Sequence, residues 1–331
     1  MRVRVVGPGG VQERAVAELG SLLSQVQADG AAPDTFVWLD VPVPDDASAT
    51  VLREVFGCHE LAIRDAQQRN RVPRVHVYPD HVFVILHSPE LGAAGHVHYI
   101  ELDQFIAHRY LITVHGPVNA KVPDHVARRE VDAVLSRMAA GRVLPRTPYD
   151  LAYAITSTIA RQQEAFIEQL TAEVWRLEQD VTGGRRKDAE EFLEELFQVR
   201  HGLVAVQTMA GLGAEIYGRI LALGRSGNQR LDADIVDQFD RIGHLAGGER
   251  RYLQGVIEFY RTRTETKRTI AAERLTVVAV VTLPITALSS VIGMNVIVND
   301  HTRWGMLAVL LVVMVVGSGV LLTWAKRQGW W

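Results

Sequence analysis

Near the end of the chain, Gly293-Met294-Asn295 lies in a run of 25 residues, Leu275 to Asn299, that carries no formal charge. An asparagine amide at the end of so apolar a stretch has two uses. It can cap a helix where hydrocarbon meets water, or it can offer a neutral oxygen to a hydrated cation. The second use suits magnesium, which holds its water shell tightly and dehydrates reluctantly. A different metal chemistry is open to the 12 histidines, among them His76, His81, His87, His96, His98, His108 and His115. Imidazole favours zinc, whereas oxygen favours magnesium. His96-Val97-His98 puts two imidazoles on one face of an extended segment. Elsewhere the spacing is irregular, and a solvent-facing histidine on an alternating strand is the ordinary expectation. Enzyme signatures are missing: there is no Walker loop, no His-Glu-x-x-His and no Gly-x-Ser-x-Gly. Gly7-Pro8-Gly9-Gly10 reads as a turn, since no Lys-Ser/Thr follows it. The chain is expected not to be an enzyme.

The elements that must position Asn295 are apolar and long. Leu275–Asn299, and the 22 residues from Trp304 to Ala325, are each long enough at about 1.5 Å per residue to cross a hydrocarbon core of about 30 Å. Arg261, Arg263, Lys267, Arg268 and Arg274 precede the first run, Lys326 and Arg327 follow the second, and only Asp300, His301 and Arg303 lie between. The positive-inside rule then predicts two transmembrane helices in the cell membrane, both termini cytoplasmic, and a very short outer loop. Trp304, Trp324, Trp330 and Trp331 suit interfacial depth. Met1–Gly10 has no apolar run long enough for a signal peptide, so the amino terminus is expected to stay inside. One cysteine, Cys58, and a net charge of −3 argue against a disulfide framework and against a nucleic-acid partner.

Before the membrane, two regions are expected. Residues 1–147 read as an α+β cytoplasmic domain, a mixed sheet flanked by helices. Short β-rich runs stand at Phe36–Leu39, Val75–Tyr78, His81–Leu86, Tyr99–Leu102 and Tyr110–Val114, with helical patterns near Glu13–Val26, Ala49–Phe56 and Val122–Met138. Residues 148–228 carry two helical stripes, Ile155 to Val181 and Phe192 to Val206, parted at Gly183–Lys187 and ended at Gly224–Asn228. A third helix begins near Leu231 and meets no proline before Pro284. Continuous to Ile292, it would be roughly 90 Å long, a stalk leading into the membrane. The expected division is therefore 229–274 for the cytoplasmic part of that helix, 275–295 for a pore-lining first span and 296–303 for the loop. A second span at 304–325 and a basic, aromatic tail at 326–331 complete it.

Gly-Met-Asn at the outer end of an apolar helix, followed by a short loop, a second span and a basic tail, resembles the CorA family of magnesium transporters. The resemblance runs through the chain. Thr282-Leu-Pro-Ile-Thr286 is similar to the family's proline-threonine segment, and Leu231–Asp237 to the acidic start of its long helix. Phe56–Asp65, Gln68–Val75 and Tyr78–Leu86 follow its helix-then-strand order. The resemblance implies a homopentamer with a funnel-shaped cytoplasmic domain, the first span lining the pore and the second ringing it, with membrane lipids around it. It implies Mg2+ as cargo, with Co2+ or Ni2+ as passengers, and Gly293, Met294 and Asn295 at the pore entrance. Thr286 would add a polar ring, Leu283 and Leu275 apolar constrictions, and Thr269 an inner pore position. It also implies that intracellular Mg2+ holds the pore shut through Asp65 and Asp234, with Asp237 one turn on.

Several positions depart from the family pattern. Ile292 stands where an aromatic residue is usual, Thr269 and Glu273 where Asn and Lys are common, and Ala272 at an apolar gate position. The outer loop lacks the family's Met-Pro-Glu segment. These departures bear on selectivity and gating. They leave room for a Zn2+ transporter similar to the ZntB branch, or for a membrane-anchored cation sensor that conducts nothing.

Overall fold

The computed structural model describes the backbone of residues 1–28, 32–183, 189–225, 227–296 and 304–327, without the side chains of 94, 189, 288, 291–296, 304, 306, 307, 310 and 325. Two compact units result, Met1–Val256 and Ile257–Trp331.

The first unit is built on a mixed seven-stranded sheet. Its strands are β1 (Arg2–Gly7), β2 (Gly10–Arg14), β3 (Phe36–Val41), β4 (Arg74–Val77), β5 (His81–Leu91), β6 (Val97–Ala107) and β7 (Tyr110–His115). The order is β2-β1-β3-β7-β6-β5-β4, and only β3 and β7 run parallel. Alternation along β3 sends Val37, Leu39 and Val41 to one face. There they meet α1 (Leu19–Gln27), α2 (Asp46–Glu54) and α3 (Glu60–Gln67) in a core with Leu23, Leu52, Ile63, Phe83 and Phe105.

The other face carries α4 (Asp124–Ala127), α5 (Arg129–Ala139) and α6 (Pro148–Gly183). Gln104 of β6 donates to Thr156 of α6 at 3.1 Å, and Ser88 of β5 donates to Glu130 of α5 at 2.6 Å. Helix α6 starts with proline at its first turn, where the missing N–H costs nothing. Thr147 and Asp150 hydrogen-bond each other's backbone N–H reciprocally at 3.1 and 3.0 Å. Helix α7 (Ala189–Ala222) follows, then α8 (Gln229–Val296) and α9 (Trp304–Arg327). The expected stripes are the buried ones: Ile155, Leu170 and Leu177 on α6, and Phe192, Leu196 and Leu203 on α7.

Three local expectations are corrected. The helix predicted from Glu13 starts only at Leu19. Gly10–Arg14 is instead hairpin-paired to β1, an edge that the sequence pattern did not announce. The turn at Pro8-Gly9 is as expected, with Gly10 at φ 97°, where a side chain would be strained. The helix expected over Val122–Met138 is broken at Arg128, whose φ of −111° and ψ of 3° leave the helical region. His81, His87 and His115 are buried, at 3, 1 and 2% exposure, rather than facing solvent.

Candidate metal-handling residues

Helix α8 carries most of the expected site residues. In its first half, Ile235, Phe239, Ile242, Ala246, Leu253 and Val256 recur at helical spacing and are buried. Packing there is close: the Phe239 ring lies against Gly213 of α7, with Tyr217 beside it at 6.4 Å between centroids. This stripe fixes the polar face carrying Asp234 and Asp237, both exposed. Asp234 Oδ2 accepts from the Tyr153 hydroxyl at 2.7 Å and from Gln238 Nε2 at 2.5 Å.

Asp65, near the end of α3, has different surroundings. Its side chain is 13% exposed and stands 3.5 Å from Arg64, 3.7 Å from Arg74 and 3.8 Å from His76. These are ion-pair rather than hydrogen-bond distances. Asp65 and Asp234 thus sit in separate settings, and no cluster of three or more metal-ligating side chains occurs among the described residues.

Behind Asp65 lies a buried acidic pair that the sequence reading did not single out. Asn70 joins the two regions: its Nδ2 donates to the Asp65 carbonyl and to Glu101 Oε1, each at 2.8 Å, while its backbone N–H donates to Glu101 Oε2 at 2.8 Å. Burial pushes Glu101 upward in pKa despite those bonds. Asp103, wholly enclosed, is pushed well above the carboxylate range by burial, then by the charge of Glu101. Neither Asp103 oxygen has a hydrogen-bond partner among the described residues, so the neutral acid is the favoured form. His87, cross-strand to Glu101, is lowered to about 4 by burial and donates from Nε2 to the Asn70 carbonyl at 2.9 Å. The available signal was Glu101-x-Asp103, two acids on the strand face that also carries Val97, Tyr99, Phe105 and Ala107.

A second buried polar group ties β3 to β7. Asp40 Oδ1 accepts from Thr113 at 2.8 Å and faces His115 Nε2 at 3.0 Å, and Trp38 Nε1 donates to Thr113 Oγ1 at 3.1 Å. Burial works to raise Asp40, but the His115 and Thr113 hydrogen bonds hold it below the usual carboxylate range. These histidines serve the core. His96 and His98 remain available, with ring centroids 5.1 Å apart, His96 exposed and His98 half-buried.

In the second unit, α8 contains an 18-residue stretch apolar enough for a membrane span and wholly unburied. Leu275 is 71% and Leu283 67% exposed. The hydroxyls of Thr269 and Thr286 donate back to the carbonyls of Glu265 at 3.0 Å and Thr282 at 2.8 Å. Their remaining lone pairs are left as outward acceptors. At about 100° per residue, Thr269, Leu275, Leu283 and Thr286 fall within roughly 120° around the helix axis. The helix continues through Pro284. Gly293, Met294 and Asn295 form part of its final turn, but their side chains lie outside the described residues, as do Ile292's side chain and the whole of 297–303. Helix α9 is 24 residues long, with Lys326 and Arg327 in its last turn.

Comparison with known proteins agrees with this architecture. The family described as "CorA-like Mg2+ transporter protein" matches residues 33–327. YfjQ of Bacillus subtilis (strain 168) is 23% identical over 308 residues, covering 90% of this chain and 91% of its own length. The cobalt/magnesium transport protein CorA of Thermotoga maritima is 20% identical over 284 residues, covering 84% of this chain and 78% of its own. Among solved structures, the complete CorA magnesium transporter from Methanocaldococcus jannaschii superposes with a TM-score of 0.75. It shares 16% identity and covers 100% of this chain and 99% of that one.

Proposed function

Because the chain belongs to the CorA family of divalent metal transporters, a family of membrane proteins, we propose that it carries Mg2+ across the membrane through a pore made by five copies of itself, with Co2+ and Ni2+ as further cargo. One observation carries the reading. Helix α8 passes without interruption from a stripe buried by its own chain to an apolar stretch that no described residue buries. Apolar surface of that length cannot face water. Lipid and neighbouring copies cover it, and α9 is the second span, returning the carboxyl terminus to the cytoplasm. Thr286 and Thr269 line the route with hydroxyl acceptors, Leu283 and Leu275 narrow it, and Asn295 with Gly293 and Met294 forms its outer mouth. Neutral oxygens suit an ion that keeps its water.

Internal Mg2+ closes the pore by bridging Asp65 of one copy with Asp234 and Asp237 of the next. The contacts of Asp65 with Arg64, Arg74 and His76 are loose enough for a cation to displace. Asp234 and Asp237 are exposed at the start of α8.

Mg2+ uptake into proteoliposomes tests the pore. Asn295→Ala is expected to cut flux at least about tenfold, a loss of roughly 1.4 kcal/mol in ion stabilisation, and unaltered flux would reject the assignment. Asp65→Ala with Asp234→Ala is expected to keep flux high at millimolar internal Mg2+. Inhibition matching wild type would remove the sensor. A second reading, Zn2+ transport, is favoured by the imidazole pair of His96 and His98. Zn2+ uptake exceeding Mg2+ uptake in the same vesicles would establish it. A protein passing neither metal would be an anchored sensor.

A further inference from the structure

The one parallel strand pair ends at a crevice that the transport reading leaves unused. Strand β3 leaves through Pro42 and Val43 towards α2, on one face of the sheet. Strand β7 leaves through Gly116 and Pro117 towards α4, α5 and α6, on the other. Where adjacent parallel strands send their connections to opposite faces, the loops part and leave a ligand crevice at the carboxyl ends.

Here the crevice is a cavity of about 150 Å³. Its floor includes Ile100 and Val122, which with Val126 form a small buried cluster apart from the main core. Of its polar lining, Arg69, Glu101 and Asn119 have partners, and Asp124, four residues before Arg128, adds a second carboxylate. Arg69 donates to the carbonyls of Pro117 and Val118 at 2.9 and 3.3 Å, bracing the loop. Glu101 is held by Asn70. Arg128 is not committed. Its side chain is half-buried, its Nε is enclosed without a hydrogen-bond partner, and no carboxylate pairs with it among the described residues. The break between α4 and α5 falls at this residue and aligns it with the crevice rather than with a helix face. A partly dehydrated guanidinium with open donors matches the oxygen pair of a carboxylate or phosphate.

We propose that this crevice binds a small oxyanionic metabolite, a carboxylate or a phosphate, with Arg128 as its anchor. The volume admits roughly six to ten non-hydrogen atoms, since a cavity of this size holds a benzene ring. This assignment stands whether or not the protein conducts metal.

Isothermal titration calorimetry on the full chain in detergent tests it, with inorganic phosphate in one arm and succinate in the other. Wild type is expected to show one saturable site for at least one probe, and the arm that responds identifies the ligand chemistry. Arg128→Gln is expected to weaken that binding at least about tenfold, the value of a charge-assisted pair. Val43→Trp adds bulk at an exposed position of the lining and is expected to abolish binding by filling the mouth. No heat from either probe up to about 10 mM, a free energy near 3 kcal/mol, overturns the proposal. So does binding that survives both substitutions unchanged.

Discussion

The two halves of α8 share one backbone geometry and differ in what their apolar residues meet. Between Gln229 and Val256, apolar residues recur every three or four positions and are buried, Phe239 at 0% and Leu253 at 0%. From Leu275 onward, apolar residues occur all round the helix and remain open, Leu275 at 71% and Leu283 at 67%. Periodicity is the mark of a helix that the chain itself packs, and its loss marks a helix meant for another medium. One helix therefore carries both a stripe buried by the first unit and an apolar stretch left open among the described residues.

The sharpest way to break that contrast is to truncate one side chain in each half. Phe239→Ala is expected to destabilise the protein by about 3–5 kcal/mol, since a fully enclosed ring leaves a cavity. Leu283→Ala is expected to shift thermal unfolding in detergent by less than about 0.5 kcal/mol, while changing metal flux. Equal losses of stability would show that the two halves are packed alike.

Acid should act on the first unit, through the titratable groups buried in its sheet. Burial lowers His87 from 6.5 to about 4, so the folded protein keeps it neutral while the unfolded chain takes up a proton below 6.5. Its contribution is fully present above pH 6.5 and is lost as pH falls towards 4, by roughly 3 kcal/mol over the window. Glu101 and Asp103 are raised and work with the opposite sign, because folding favours their protonated forms. The difference between wild type and His87→Gln isolates the histidine. Denaturant unfolding from pH 7 to 4 is expected to show wild type losing ground relative to the variant, and parallel curves would contradict the burial argument.

Smaller effects come from two glycines on the same pair of helices. A Cβ at Gly213 would meet the Phe239 ring at 2.9 Å, whereas one at Gly243 meets nothing within 4 Å. Gly213→Ala is expected to cost about 1–3 kcal/mol through overpacking. Gly243→Ala is expected to add about 0.5–1 kcal/mol through helix propensity. Thermal melts of both variants decide whether α7 and α8 pack as closely as the contact at Phe239 implies.

Long apolar runs, helical stripes and the Gly293-Met294-Asn295 tripeptide were legible in the sequence because each depends on local composition and spacing. That is why the stripes on α6, α7 and early α8, and the family itself, could be read without coordinates. The β1–β2 hairpin was hidden, since Gln12-Glu13-Arg14 alternates no apolar face and owes its strand form to pairing with β1. The buried histidines were also hidden. His81, His87 and His115 look like surface residues in a strand until cross-strand neighbours enclose them.

What the sequence determined by itself is five of the seven strands and the long helices, because hydrophobic periodicity follows from the geometry of one helix or one strand. What only the tertiary structure decided is which charges are enclosed and which donors remain open. Asp103 is pushed towards the neutral acid, and Arg128 is left without a carboxylate partner among the described residues beside the parallel strands, through residues distant in the chain. Desolvation depends on everything that surrounds a group, and no local stretch of sequence contains that information.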